Sequence, residues 1–161
     1  MSTSNKSPLK KAFLKGFGLI LFLIIAFFCF EFFRRQIGGF AGSYPFAEVW
    51  QIAGSIEDTE RKLIKLHEIE PDLFFENDSL SFKNDPTKYW KKVDFYYKDR
   101  QEIVHALIRD DGNNTDIYLV SFVDTVTGDL RLMNKDFGFF ANLREMKDFE
   151  NKVLDKINAI K

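Results

Sequence analysis

The sequence predicts an α+β protein: an N-terminal transmembrane helix followed by an antiparallel β-meander packed with two helices. Three observations predict it. An uncharged apolar run lies near the start. Consecutive alternating stretches are separated by short turn-forming clusters, which is how adjacent antiparallel strands are joined. The chain then closes on an apolar stripe at helical spacing.

The first element is the stretch GFGLILFLIIAFFCFEFFRR, Gly16 to Arg35. It carries no charge from Gly16 to Phe30. Extended through Phe33 it reaches roughly 27 Å as a helix, close to the thickness of a bilayer's hydrocarbon core. Lys15, Glu31, Arg34 and Arg35 can reach the headgroups from its ends. A soluble core helix would keep a polar face, and this run has none. A cleaved signal peptide would need a small-x-small site close behind the run. The nearest candidate, Gly39-Phe40-Ala41, lies beyond two arginines. A lipid-attachment site at Cys29 would need a small residue before it, where Phe28 stands. A retained single-pass anchor over 16–35 is the expectation, behind a basic tail over 1–15. Lys6, Lys10, Lys11 and Lys15 outnumber Arg34 and Arg35, so the N-terminus is expected in the cytoplasm. The domain beyond is then extracytoplasmic, and periplasmic in a bacterium with its anchor in the inner membrane. The reverse orientation is the alternative, because Arg34 and Arg35 sit tight against the span.

Residues 36–43, with Gly38, Gly39 and Gly42, read as a short tether. Residues 44–161 are long enough for one domain with its own core. Beyond residue 35 there are 17 Lys and Arg against 23 Asp and Glu, a net charge of −6. Such an acidic domain is a poor match for nucleic acid. The one cysteine lies in the anchor, which excludes a disulfide framework and a thiolate metal site in the domain.

Within the domain, Phe46 to Ile52 alternates as a strand. Ser55 with Asp58 three residues on marks a helix start, and the helix is expected from about Ile56 to Ile69, ending before Pro71. Ile56, Leu63, Ile64 and His67 share a face of it. Leu73 to Phe82 reads as an edge strand with a turn at Asn77-Asp78, and Asn84-Asp85-Pro86 as a turn. Strands are expected at Tyr89–Tyr97, Glu102–Arg109, Thr115–Asp124 and Leu130–Met133. Asn142 with Glu145 reads as a capping box for a last helix. Its stripe is Leu143, Met146, Phe149, Val153, Ile157 and Ile160.

The middle strands are apolar on both faces. The second sets Val104, Ala106 and Ile108 against Ile103, His105 and Leu107. The third sets Tyr118, Val120 and Phe122 against Ile117, Leu119 and Val123. Both faces therefore require cover. Either a helix lies on each face, or the Leu73 to Phe82 segment folds over one of them. Alternatively both helices share one face and the other receives a partner, with Trp90, Tyr96, Ile103, His105 and Leu119 as the candidate contacts.

Catalytic signatures are missing. His67 and His105 are the only histidines and have no ligand-spaced companions, so no metal or cofactor is expected. The acidic pairs Asp110-Asp111 and Glu57-Asp58 fall in a turn and at a helix start. The acidic stretch from Asp110 to Asp116 lacks the calcium-loop spacing. No phosphate-cradling, dinucleotide-binding or nucleophile-elbow motif occurs, and no small-molecule substrate is inferred. Lys88-Tyr89-Trp90-Lys91-Lys92 reads as a lysine-flanked edge strand.

Tyr44-Pro45-Phe46-Ala47-Glu48-Val49-Trp50, Tyr89-Trp90 with Phe95-Tyr96-Tyr97, and Asn134-Lys135-Asp136-Phe137 resemble segments of small membrane-anchored or lipoprotein domains of Bacteroidetes-type bacteria. The resemblance implies a bacterial envelope location and no chemistry. The expectation is a non-enzymatic envelope protein that binds or scaffolds another protein, as an accessory subunit of a membrane complex. Alternatives are an inhibitor or immunity-type protein neutralising an envelope toxin, and an enzyme with an unrecognised site.

Overall fold

The apolar run at the front of the chain folds as one helix, α1 (Pro8–Ile37), and its stretch Lys15–Phe33 is long and apolar enough to cross a membrane. The computed structural model describes residues 8–37, 44–75, 80, 82 and 89–160. The tail before Pro8, residues 38–43 of the tether and the turns expected at Asn77-Asp78 and Asn84-Asp85-Pro86 lie outside the described residues.

The remainder is α+β with an antiparallel sheet. Its elements are β1 (Glu48–Ala53), α2 (Ile56–Ile69), β2 (Lys91–Tyr97), β3 (Glu102–Asp111), β4 (Asn114–Asp124), β5 (Leu130–Leu132) and α3 (Phe139–Phe149), which runs through a π-helical turn (Glu150–Leu154) into α4 (Asp155–Ala159). The strand order is β1-β4-β3-β2. Long β4 also takes β5 on the same edge as β1: its first half pairs with β1 and its second half with β5.

Local chemistry explains most boundaries. Ser55 caps α2 by accepting from the Asp58 amide at 3.3 Å, and the helix ends before Pro71 as expected. Gly112 supplies φ +74° in the two-residue loop joining β3 to β4, a conformation that a residue with a Cβ pays for. The Leu73 to Phe82 segment forms no regular strand among its described residues. Phe74 and Leu80 make single antiparallel bridges to Phe95 and Val93 along the outer edge of β2, and with Phe82 they are buried.

One main core holds the domain together. Val93, Phe95, Val104, Ala106, Ile108, Ile117, Leu119 and Phe122 from one face of the sheet meet Ile56, Leu63 and Leu66 of α2. They also meet Phe149, Val153, Leu154 and Ile157 of the C-terminal helix. Thr59 of α2 donates to Thr115 of β4 at 3.0 Å, so two hydroxyls buried at that junction satisfy each other. Both helices therefore lie on the same face of the sheet.

The C-terminal helix starts earlier than its capping signal suggested. Gly138 is the N-cap, and Asn142 and Glu145 sit inside α3. Each has another task. Buried Asn142 donates to the Asn134 side chain at 2.5 Å and accepts from the Asn134 amide at 3.0 Å, holding that residue at φ +57°. Buried Glu145 accepts from Arg100 at 2.7 Å. Of the expected stripe, Phe149, Val153 and Ile157 are buried, whereas Leu143 is exposed.

Candidate partner-binding face

Because side chains alternate across a strand, the residues on the far side of the sheet follow from the register. Tyr96 stands opposite Ile103 and Asp94 opposite His105 across β2 and β3. Ile103 stands opposite Val123 and His105 opposite Ser121 across β3 and β4. The register then slips: Ala106 pairs with Leu119, which leaves Val120 as an extra residue in β4. The bulge has a partner of its own, since the Val120 carbonyl accepts from the Met133 amide at 3.0 Å.

The bulge corrects the expected faces of β4. Phe122 joins Leu119 and Ile117 in the main core, and Val123 stands on the far side beside Ile103. Leu119, expected as a contact residue, is 0% exposed on the helix-covered face and does not join the others. Tyr96, Ile103 and His105 share the far face and are half-buried. Val123, which alternation grouped with Leu119, is half-buried beside them: the one-residue insertion leaves Val123 on this face and puts Leu119 on the other.

Trp90 takes a different role. At the other end of this face it forms edge-to-face contacts with Tyr44 at 5.1 Å and Tyr118 at 5.0 Å. Ala47, Leu107 and Tyr118 are buried in this small second cluster, with Tyr44, Trp90 and Val120 packed against them. Arg109 covers the rings of Trp90 and Tyr118 at 5.3 and 5.4 Å and donates to Asp116 at 2.7 Å. The Tyr118 hydroxyl donates to the same Asp116 oxygen at 3.1 Å; burial and that bond push it above the usual phenol range. This half of the face is closed by the chain itself.

The other half carries no helix among the described residues. Its polar border is the pair formed by His105 Nδ1 and Asp94 Oδ1, 2.5 Å apart, with Lys92 at 2.9 Å from the same carboxylate. Burial acts to raise the Asp94 carboxyl, but the hydrogen bonds to His105 and Lys92 outweigh it and hold the group below the usual carboxylate range. Tyr96 is steadied from the β2 edge by the ring of Phe75 at 5.7 Å. The arrangement is an apolar, aromatic centre with a fixed ionic edge, which suits recognition of another surface.

Among the described residues no group of three or more His, Cys, Asp or Glu could hold a metal ion. A depression of about 380 Å³ between α2 and the chain's end is lined by Ala53, Asp58, Arg61, Lys62, Lys65 and Ile160, and it is open to solvent. His67 packs against Phe74 at 4.9 Å between ring centroids, well away from His105 on the far face.

No protein-family model matches the chain, and no curated protein or solved structure shows significant similarity to it.

Proposed function

We propose that this chain is a single-pass envelope protein whose domain binds or scaffolds another protein through the far face of its sheet, as an accessory subunit of a membrane complex. The observation that carries this reading is the placement of α2 and the C-terminal helix on one and the same face. The opposite face is left with Tyr96, Ile103, His105 and Val123 half-buried and without a covering helix among the described residues. A sheet with one helix-covered face normally turns polar residues outward on the other. This one turns out an aromatic ring and two β-branched side chains. The length and apolar character of α1 support membrane attachment. The excess of lysine ahead of it supports a cytoplasmic N-terminus and an extracytoplasmic domain, in the inner membrane of a bacterium.

The test is recovery of the tagged full-length protein from its native membranes in mild detergent, with mass spectrometry of co-purifying proteins. A stoichiometric partner is expected, and it is expected to be lost when Ile103→Glu is introduced. Recovery of the wild-type chain with nothing attached would count against a stable subunit.

A further inference from the structure

Helix α3 begins with an aromatic pair. Phe139 is half-buried, while Phe140 is 77% exposed and Leu143, one turn on, is exposed as well. Within the domain Phe140 touches the ring of Phe139 at 5.4 Å, and most of its own ring stays exposed. The other neighbour of this pair is α1. Phe27 of the apolar span lies 5.7 Å from Phe139, ring edge to face, and 6.5 Å from Phe140. The exposure of Phe27 falls to 38% beside Phe28 at 66%, and Glu31, one turn further along α1, is half-buried too.

Depth follows from the helix geometry. Phe27 stands six residues before Phe33, where the apolar stretch ends. At the rise of an α-helix this is about 9 Å inside the end of the span. Amphipathic elements lying on a bilayer bury their apolar face roughly 5–10 Å into the headgroup and acyl boundary. The contact therefore puts the tip of α3 at the depth such elements occupy. Charge agrees with this placement. Arg144 stands one turn from Phe140 and Lys147 one turn from Leu143, and both are exposed. Long basic side chains at such a boundary reach phosphates while their stems lie along apolar surface. The reach of the chain agrees as well, since the seven steps from Ile37 to Tyr44 span at most about 25 Å.

We infer that the tip of α3, with Phe139, Phe140 and Leu143 as its apolar wedge and Arg144 and Lys147 as its phosphate contacts, docks the domain onto the bilayer surface beside its own anchor. This rests on the reading of α1 as a membrane span. The docking holds the domain in one orientation over the membrane, instead of leaving it free on its tether. A partner reaching the Tyr96–Ile103 face then meets it at a set height and angle.

The test uses the full chain with Cys29→Ser, reconstituted in vesicles of phosphatidylcholine with a minority of phosphatidylglycerol. A nitroxide is attached in turn at Phe140→Cys, Leu143→Cys, Val126→Cys and Phe22→Cys. Relaxation by oxygen and by a water-soluble nickel chelate gives the depth of each label. The labels at 140 and 143 are expected roughly 5–10 Å below the phosphates, with the label at exposed Val126 in water. Labels at 140 and 143 that relax like the one at 126 would overturn the docking. Labels there shielded from both relaxants would also overturn it, and would assign the wedge to a protein contact such as a second copy. The label at Phe22 tests the anchor separately: if it alone is lipid-exposed, the span stands and only the docking falls.

Discussion

His105 Nδ1 and Asp94 Oδ1 meet at 2.5 Å as directly opposed residues of β2 and β3, on the face of the sheet away from both helices. The imidazole can donate from Nδ1 whether it is neutral or charged, so the carboxylate keeps its partner in either state. The pair closes the ionic border of an otherwise apolar patch and makes the register of these two strands costly to change.

Stability should fall on the acid side through Asp94. Its carboxyl is held below its unfolded value, so its contribution is fully present above that value, near pH 4, and is lost as pH falls further through the folded value. Thermal melts of the full chain in detergent micelles, followed by tryptophan fluorescence between about pH 5 and 3, should show a flatter acid limb for Asp94→Asn. At neutral pH that variant should lose about 1.5–3 kcal/mol, the worth of a hydrogen bond to a charged group. Unchanged acid limbs would remove Asp94 from the account.

Glu145 carries a charge into the side of α3 with its side chain 3% exposed, 2.7 Å from Arg100. Glu102, bonded to Arg131, borders the same guanidinium at 3.0 Å. Glu145→Ala would leave Arg100 half-desolvated, with only Glu102 and the more distant Asp148 at 3.8 Å for partners, and should cost about 3 kcal/mol. Burial opposes the Arg100 charge, yet the bond to Glu145 and the neighbouring carboxylates keep it above its ordinary value. Urea denaturation in micelles, read from Trp50 beside Phe149, measures the loss. Glu145→Gln, which keeps the shape and one acceptor, should cost less than Glu145→Ala.

Leu119 and Ile103 should separate folding from binding. Leu119→Ala opens a cavity under the helices and should destabilise by about 2–5 kcal/mol. Ile103→Glu changes a half-buried position on the open face and should leave the melting transition within a few degrees of wild type. The partner recovered with the full-length protein should disappear with Ile103→Glu. It should persist with Leu119→Ala under conditions where that variant is still folded. The reverse result would place the interface elsewhere.

Much of the fold was legible along the chain. The apolar run marked α1, Ser55 marked the start of α2, and the turn residues around Gly112 marked the β3–β4 hairpin. Two signals misled for a definable reason. Asn142 followed by Glu145 has the local pattern of a capping box, but the same atoms find partners remote in sequence, Asn134 and Arg100. Alternation through β4 assigned Leu119 and Val123 to one side, but the extra residue at Val120 reverses the phase between them. Trp90 has the composition of a contact residue, yet its ring is taken up by Tyr44, Tyr118 and Arg109.

By itself, the sequence determined most of the elements, their order, and a sheet apolar on both sides, because periodicity and turn chemistry act within a few residues; the edge strand expected at Leu73 to Phe82 is reduced to single bridges at Phe74 and Leu80. Only the tertiary structure decided that α2 and the C-terminal helix share one face, so that Tyr96, Ile103, His105 and Val123 remain on the other. Alternation says which side chains lie together. It carries no information about which side receives the helices, since that depends on packing between segments nearly a hundred residues apart.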